Sequence, residues 1–203
     1  MATSLPDIHL DLGCGTVPRN PYGRTRLCGV DIRALDGATG FEFRAANLTL
    51  EPIPFPDDTF GSLSAFDFVE HVPRILGTAD GKGTRFPFID LMNEVWRVLA
   101  PGGRFFALTP AVPGLPAFQD PTHVNFITED THRYFCGDEP TGRMYGFNGR
   151  FNALRAEWVV DRDSHTATPL TWQQQFRRWR RRVKGKLVYF LWELEAVKPP
   201  ASR

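Results

Sequence analysis

Short apolar runs separated by glycine- and proline-rich segments dominate the first part of the chain. Four of these runs have the length and the aliphatic or aromatic character of buried strands. They are Ile8–Leu12, Leu27–Asp31, Phe43–Asn47 and Ser62–Phe66. The pattern therefore predicts four successive strands within the first 70 residues.

The hydrophobic period changes to that of a helix after residue 85. The apolar side chains that share one helix face are Phe88, Leu91, Met92, Val95 and Leu99. Pro101-Gly102-Gly103 is a stop signal followed by a turn, and Arg104–Thr109 is the next apolar run, which predicts a fifth strand. Strands that alternate with helices over short connections predict a parallel sheet covered on both faces.

The remainder of the chain divides into three parts. Residues 110–151 are rich in Pro, Gly and aromatic residues, and we expect an inserted loop region over the carboxyl edge of the sheet. Leu154–Val160 and Leu187–Lys198 have the apolar character of two closing strands. Between them, residues 172–186 form a basic segment with an apolar stripe at positions i, i+4, i+7 and i+11. The members of the stripe are Trp172, Phe176, Trp179 and Val183.

The first predicted strand runs into a glycine turn, and the second ends on a carboxylate. Gly13 and Gly15 would let the backbone come close to a ligand, and Asp31, 20 residues after Asp11, is placed to receive ribose hydroxyls. This pairing predicts an adenosine-containing cofactor. Residues 17–23 contain two prolines and a glycine, so we expect the helix that usually follows such a turn to be short or absent.

Composition fits one folded domain over residues 1–203, with 42% hydrophobic and 13% aromatic residues. The net charge of +1 is unevenly spread: residues 1–171 carry 15 Lys or Arg and 21 Asp or Glu, whereas residues 172–203 carry 9 and 2. Three scattered cysteines without a C-x-x-C pattern favour a reducing cytoplasm over a disulfide scaffold or a zinc site. Neither a secretory signal nor an apolar stretch of the roughly 18–20 residues that span a bilayer is expected.

Several segments resemble, in order, the motifs of class I S-adenosylmethionine-dependent methyltransferases. They are Leu10–Thr16, Asp31 after the second strand, Pro54–Phe60 with Phe68–Val72, and Glu94–Gly103. The resemblance covers roughly residues 8–110. It implies an α/β fold, a doubly wound and mostly parallel seven-stranded Rossmann-like sheet with an antiparallel final strand, and S-adenosylmethionine as the cofactor. Val17 stands where the family's turn has its third glycine, which implies that the methionine end of the cofactor is held differently.

The resemblance also implies which positions contact the cofactor. Asp11 would orient the glycine turn or the methionine amine, the alternative being an acid that only caps the turn. Gly13 and Gly15 would approach the cofactor through their backbone, and Asp31 would bind the ribose. The other expected positions are Cys14 in the turn (as a small packed residue rather than a nucleophile), Ile32 after Asp31, Asn47 and Leu48 beside the adenine, and Phe66 and Asp67 at the end of the fourth strand.

Histidine is the side chain best suited to deprotonate a hydroxyl acceptor near neutral pH. His71 follows the fourth strand and His123 lies in the Asp-Pro-Thr-His segment after the fifth, where the family places acceptor-binding loops. Both are candidate catalytic bases. The alternative for His71 is a residue at a helix N-terminus bonded to Glu70 or to backbone, and the alternative for His123 is a histidine that orders its own turn. His132 is expected to be structural or on the surface, and His9 receives no role. Asp120, His123 and His132 do not match a zinc-ligand pattern, so we expect no metal.

A looser resemblance concerns Gln119–Phe126 and Trp192–Lys198. Similar stretches occur in bacterial methyltransferases associated with cell-surface polysaccharide and lipid-linked saccharide assembly. It implies a cytoplasmic enzyme, peripheral at the inner membrane face, that methylates a saccharide or a lipid-linked glycan precursor. The basic segment 172–186 would then contact an anionic membrane surface. Two other interpretations of this segment are a helix that packs its stripe on the domain and a nucleic-acid contact.

Other functions stay open from the sequence. A small-molecule methyltransferase without membrane contact is the nearest alternative. An RNA methyltransferase is less favoured because the body of the chain is acidic. Because Val17 replaces the third glycine, a non-catalytic scaffold protein with the same fold is a further hypothesis. A nicotinamide-dependent dehydrogenase is disfavoured because the G-x-G-x-x-G spacing is missing.

Overall fold

The computed structural model describes residues 4–35, 40–164 and 169–198 of the 203-residue chain. Seven strands form one sheet in the order β3-β2-β1-β4-β5-β7-β6. They are β1 (Ile8–Leu12), β2 (Arg26–Asp31), β3 (Glu42–Ala45), β4 (Phe60–Phe66), β5 (Leu99–Pro110), β6 (Phe151–Val159) and β7 (Tyr189–Ala196). Strand β7 is antiparallel to both of its neighbours, and the other neighbouring pairs are parallel. The expected mostly parallel, seven-stranded sheet with an antiparallel final strand is confirmed.

The helices of the described chain are few. They are α1 (Pro87–Val98), α2 (Pro116–Gln119) and α3 (Trp172–Val183), with single-turn helices at Val69–His71, Thr131–Phe135, Thr141–Tyr145 and Asp161–Asp163. A small hairpin pairs Leu76–Gly77 with Thr84–Arg85. Within the described residues, the helices are too short or too polar to cross a membrane.

Helix α1 covers one face of the sheet. Pro87 occupies its first turn, where a missing amide hydrogen costs nothing because that group has no partner inside the helix. The predicted apolar face is buried in the main core, at Phe88, Leu91, Met92 and Val95. Leu99 is buried as well, but it is the first residue of β5 and not part of the helix, which corrects the predicted boundary.

Strand β5 begins five residues before its predicted start and runs through Pro101-Gly102-Gly103. A register shift between Phe60 and Ser62 of β4 takes up the extra residues as a bulge. Gly102 has φ +76°, and a Cβ on Gly103 would lie 2.8 Å from the carbonyl oxygen of Ala100. The two glycines therefore permit a bulged strand where the sequence pattern predicted only a turn.

The second face of the sheet is covered by irregular chain. Between β1 and β4 the described residues contain no helix, so the helix expected to be short or absent after the glycine turn is absent. Tyr22, from this segment, packs edge-on against Phe106 of β5 and donates its hydroxyl to Glu193 Oε1 at 3.1 Å. The chain that covers this face is irregular in the first connection, because prolines prevent a helix there.

The inserted region after β5 consists mainly of loops, as predicted. Within residues 111–150, the regular structure is α2 and two single-turn helices. Buried Ile127, Phe135 and Phe147 join this region to the main core. The region is therefore packed on the domain rather than loosely attached, and it reaches the carboxyl edge of the sheet where the candidate site lies.

Candidate functional site at the carboxyl edge of the sheet

The glycine turn lies where the order of strands reverses. Strand β1 pairs with β2 on one side and with β4 on the other, and this point of an open parallel sheet is where ligands usually bind. Gly13 and Gly15 have φ of +68° and +56°, which favours glycine at both positions. The amides of Gly13 and Cys14 both donate to the carbonyl oxygen of Val30, at 2.8 and 3.1 Å. A Cβ on Gly13 would lie 2.7 Å from the Phe68 ring, so this ring packs directly against the turn.

Asp31 is joined to this turn by direct hydrogen bonds. Its Oδ2 accepts from the amide of Gly15 at 3.0 Å, and its Oδ1 accepts from the amide of Arg33 at 3.0 Å. Burial raises the pKa of Asp31, but the hydrogen bonds from Arg33 and Gly15 outweigh it, so the pKa lies below its ordinary value. The side chain is therefore an oriented carboxylate at the end of β2. Its Oδ1 also accepts from Arg33 Nε at 3.2 Å, so Oδ2 is the oxygen that retains a lone pair for a ribose hydroxyl.

Asp11 faces inward and is fully buried. Its Oδ1 accepts from the Ser64 hydroxyl at 2.6 Å, and its Oδ2 accepts from the amide of Arg19 at 2.8 Å. Burial raises its pKa to about 6, although the hydrogen bonds from Ser64 and Arg19 oppose this rise. Both oxygens bind the protein itself, so Asp11 holds the chain that follows the turn rather than presenting a free carboxylate.

His9 extends the same buried network and was assigned no role from the sequence. Since Ser64 donates its hydrogen to Asp11, its oxygen accepts from His9 Nε2 at 2.8 Å, and His9 Nδ1 then accepts from Ser62 at 2.8 Å. The pairing of His9 with Ser62 and of Asp11 with Ser64 across β1 and β4 brings these groups together. A signal was present: polar residues alternate with apolar ones on both strands, at 9 and 11 and at 62 and 64.

Arg19 is a second residue that the sequence did not single out. Its guanidinium lies 4.4 Å from the centre of the Phe66 ring, and Nη2 donates to the carbonyl oxygen of Phe66 at 3.0 Å. The segment that replaces the first helix thus brings a cation to the end of β4, beside the glycine turn. An arginine here is a candidate ligand for the carboxylate of a cofactor's methionine end.

The remaining predicted cofactor positions differ in exposure. Ile32 and Asp67 are exposed at the ends of β2 and β4, and Phe66 is buried beneath Arg19. Burial raises the pKa of the Asp67 carboxyl, and Asp67 has φ +48°, which marks a sharp turn at the end of β4.

Two further predicted contacts lie inside the protein. Cys14 is packed against Gly29, and burial raises the pKa of its thiol to about 12, in keeping with a packed turn residue. Leu48 belongs to the main core, whereas Asn47 is partly exposed and caps its own turn by accepting from the amide of Thr49 at 3.1 Å.

The two candidate bases lie together although 52 positions separate them in the chain. The rings of His71 and His123 meet edge-on with their centres 4.8 Å apart. The amides of Val124 and Asn125 donate to the carbonyl oxygen of Glu70, at 3.0 and 2.9 Å, and so tie the loop after β5 to the single-turn helix after β4. The structure therefore joins the two predicted candidates in one cluster, at the same edge of the sheet as the glycine turn.

Glu70 is the third member of this cluster, and the sequence did not identify it as functional. It is 1% exposed, its Oε2 accepts from Thr109 Oγ1 at 2.9 Å, and its Oε1 has no hydrogen-bond partner. Burial raises its pKa to about 7. His132 lies elsewhere, buried with its ring centre 6.2 Å from those of Phe190 and Trp192, in agreement with the structural role expected for it.

An apolar cavity of about 610 Å³ lies between α1 and the inserted region. Its lining is mostly aromatic and includes Phe86, Phe88, Phe118, Phe126 and Tyr145, with Arg74 as its one cation. Arg74 Nε donates to Asn125 Oδ1 at 2.7 Å, and Asn125 in turn bonds Glu70. The volume lies in the range of small-molecule sites, and one hydrogen-bonded link connects its wall to the Glu70 cluster.

Helix α3 exposes the apolar stripe that the sequence identified. The side chains of Trp172, Phe176, Trp179 and Val183 are between 52% and 74% exposed. Its opposite, polar face is the one that meets the body, where Arg177 binds Asp163 at 2.9 Å and Arg178 binds Glu157 at 2.6 Å. The interpretation in which the stripe packs on the domain is therefore wrong.

The fold is shared with solved methyltransferase structures at low sequence identity. A complex of the Haloferax volcanii methyltransferase activator Trm112 with a protein described as a methyltransferase matches with a TM-score of 0.58 and 16% identity, over 98% of this chain and 86% of that one. The [4+2]-cyclase SpnF matches with 0.57 and 15%, over 95% and 75%. The geranyl diphosphate C-methyltransferase of Streptomyces coelicolor A3(2), in complex with Mg²⁺, geranyl diphosphate and S-adenosyl-L-homocysteine, matches with 0.54 and 16%, over 94% and 71%. No protein-family model matches the chain, and no curated protein matches its sequence.

Proposed function

We propose that the protein is a methyltransferase that uses S-adenosylmethionine. The observation that carries this proposal is the bond between Asp31 and the amide of Gly15 at the point where the strand order reverses. It unites the two groups that an adenosine cofactor requires, a close backbone turn and a carboxylate for the ribose. Arg19 would bind the methionine carboxylate in place of contacts from a first helix.

The proposed reaction is an in-line displacement at the methyl carbon. The acceptor oxygen would form a bond to the methyl carbon of the cofactor while the bond between that carbon and the sulfonium sulfur breaks. The electron pair of the broken bond would stay on sulfur, which would become a neutral thioether. Positioning of the two reactants supplies up to roughly 7–11 kcal/mol in such reactions. The proton of a hydroxyl acceptor would pass to an imidazole of the cluster, and we propose His71 and His123 for this role.

We propose a saccharide or a lipid-linked glycan precursor as the acceptor. A hydroxyl, carboxylate or amine of the sugar would be methylated near His71 and His123. The aromatic cavity favours the lipid-linked class, because it offers apolar volume for a hydrocarbon chain and a single cation, Arg74, for a phosphate or carboxylate.

The same proposal places the enzyme in the cytoplasm, at the inner face of the membrane. The exposed stripe of α3 supports contact with a lipid surface, since tryptophan and phenylalanine beside a basic face are typical of interfacial helices. Around the axis of α3, Arg180 and Arg182 lie roughly 70–90° to either side of the stripe, where their guanidinium groups would reach anionic lipid headgroups.

A small-molecule methyltransferase is the second candidate, and the same cavity favours it. A free apolar acceptor of moderate size would fill about 610 Å³ without any lipid surface. An RNA acceptor has less support because the body of the chain is acidic. The likeness to the cyclase SpnF is a reminder that this fold serves other chemistry, and a non-catalytic scaffold remains the alternative from another class.

Calorimetric titration with S-adenosylmethionine and S-adenosylhomocysteine tests the proposal. We expect micromolar binding of both, and about 100-fold weaker binding by Asp31→Ala, since one charge-assisted hydrogen bond to a ribose hydroxyl is worth up to about 3 kcal/mol. Asp31→Asn keeps the size of the side chain, and Asp138→Asn, at an exposed surface acid, is the matched control. Circular dichroism checks that each variant is folded.

The outcomes separate the candidates. Failure of the wild-type protein to bind either ligand would contradict the methyltransferase proposal. Binding followed by methyl transfer to lipid-linked sugars, but not to free apolar acceptors, would support the leading acceptor class over the small-molecule one. Binding without transfer to any acceptor class would favour the scaffold.

A further inference from the structure

Two buried polar atoms of the Glu70–His71–His123 cluster lack a hydrogen-bond partner. They are Glu70 Oε1 and His123 Nδ1. One ligand atom from each of the three residues lies within 4.8 Å of the others. Buried polar groups are nearly always paired, so two unpaired polar atoms in one place require an explanation.

The other polar atoms of His71 and Glu70 are already hydrogen-bonded. Thr122 donates its hydroxyl to Asp120 Oδ1 at 2.6 Å, so its oxygen accepts from His71 Nδ1 at 3.0 Å. This bond fixes the proton of His71 on Nδ1 and leaves the lone pair on Nε2. His123 Nε2 lies 4.0 Å from the Asp120 carboxylate, a charge contact without a hydrogen bond, and His123 Nδ1 has no hydrogen-bond partner.

Glu70 completes the pattern, because Thr109 donates to its Oε2 at 2.9 Å and Oε1 stays free. His71 and Glu70 are thus each held from behind by a hydrogen-bond partner, and the unpaired Nδ1 of His123 belongs to the same cluster. Outer partners of this kind orient the ligands of metal ions in proteins. A cation between the three residues would give both unpaired atoms a partner at once.

We infer that Glu70, His71 and His123 bind a divalent transition-metal cation through one carboxylate oxygen and two imidazole nitrogens. Imidazole nitrogens favour zinc, cobalt or iron over magnesium and calcium, which prefer oxygen ligands throughout. A zinc–nitrogen distance of about 2.0–2.1 Å requires ligand atoms about 3.3 Å apart, so from separations of up to 4.8 Å binding would draw the ligand atoms together by up to about 1.5 Å. His71 is only partly buried and can make this movement.

Three protein ligands leave a further coordination position for another molecule, as in catalytic rather than structural zinc sites. Cation binding itself is independent of methyl transfer. With the cation bound, methyl transfer would use the two histidines as its ligands in place of the base role proposed above: the cation would lower the pKa of a bound acceptor hydroxyl, and the proton would pass to solvent water.

Cobalt is the probe of choice because its visible absorption reports the ligands directly. The purified chain, freed of metal with a chelator, is titrated with Co²⁺ by absorption spectroscopy and with Zn²⁺ by calorimetry. We expect one ion per chain, and at least tenfold weaker binding for each of Glu70→Gln, His71→Gln and His123→Gln. His132→Gln, at a buried histidine outside the cluster, is the matched control and is expected to bind within twofold of the wild-type protein.

The decisive variant is His71→Gln, because a partly exposed side chain is replaced with little risk to folding, whereas Glu70 is fully buried. Absence of stoichiometric Co²⁺ and Zn²⁺ binding by the folded wild-type chain would overturn the inference. So would wild-type affinity and an unchanged cobalt spectrum in His71→Gln. Cofactor titration in the presence of chelator is a separate measurement, so failure here leaves the methyltransferase proposal standing.

Discussion

His9 lies in the core between two serine hydroxyls, where only its neutral form fits. Burial lowers its pKa to about 4, against about 6.5 in an unfolded chain. Because the folded state binds this proton less readily, acidification from pH 6.5 toward pH 4 destabilises the fold through His9. Between pH 7 and pH 5 the loss from this group is about 2 kcal/mol. Above pH 6.5 both states are neutral, and the group makes no pH-dependent contribution.

Asp11 opposes this trend, so a variant is needed to isolate His9. The pKa of Asp11 is raised to about 6, and its protonation below that pH favours the folded state. Urea unfolding of the wild-type protein and of His9→Gln at pH 7 and pH 5 separates the two groups. We expect the wild-type protein to lose about 2 kcal/mol more than the variant on acidification. Equal pH slopes for the two proteins would contradict the buried neutral histidine.

The residues of the site divide into those that local sequence reveals and those that only the fold brings together. Asp31 and the two glycines are recognisable because their spacing follows from one strand–turn–strand unit. His71 and His123 were found individually, but their contact depends on the loop after β5 returning to β4. Glu70 gave no signal, since a carboxylate beside a histidine at the end of a strand is ordinarily solvated.

At the scale of elements, α3 is attached through charge rather than through an apolar face. Arg177 and Arg178 bind Asp163 and Glu157, and both pairs are partly shielded from solvent. Such pairs contribute at most about 1 kcal/mol each. We therefore expect the double variant Asp163→Asn, Glu157→Gln to raise the equilibrium constant for local opening of α3 by about 5–30-fold. Hydrogen exchange of the backbone amides of Trp172–Val183 measures this change.

A control separates this effect from a general loss of charge. Asp138→Asn removes the ion pair with Arg150, at an exposed position outside α3. We expect it to leave hydrogen exchange in α3 unchanged. Unaltered exchange in the double variant would mean that the helix is held by other contacts. The capping box of Thr171 with Gln174, which bond each other in both directions, is the first to examine in that case.

Elements differ in how far the sequence determined them. Strand β1 matches its predicted bounds because a buried apolar run ends at a glycine turn, and both signals are local. Strand β5 was predicted too short, because Pro101-Gly102-Gly103 is typical of a turn and only pairing with β4 makes it a bulge. The direction in which α3 presents its stripe was also beyond the sequence. An amphipathic pattern gives the two faces, and the salt bridges decide which one meets the body.

At the scale of the whole molecule, charge is separated rather than balanced. A net charge of +1 would give almost no attraction to an anionic surface if it were spread evenly. The body is acidic, however, and five cations cluster around and beyond the C-terminal end of α3. They are Arg180, Arg181, Arg182, Lys184 and Lys186, and within the described chain they have no ion-pair partner. The surface nearest the stripe is therefore strongly basic while the molecule as a whole is nearly neutral.

This separation predicts how the protein binds vesicles. Each basic residue near an anionic surface contributes about 1 kcal/mol, so Arg180→Gln with Arg182→Gln is expected to weaken binding to phosphatidylglycerol vesicles by about 30-fold. Trp172→Ser with Trp179→Ser removes apolar area instead and should abolish the binding that persists at high salt. Arg133→Gln with Arg143→Gln, at exposed arginines of the inserted region, is the matched control. Co-sedimentation at low and high salt measures all four proteins. Equal binding to neutral and anionic vesicles would contradict a contribution from the cations, since charge attraction requires an anionic surface. Tighter binding to single-stranded RNA than to either vesicle would replace the membrane with a nucleic acid, because an anionic bilayer is the surface expected to bind both the cations and the exposed stripe.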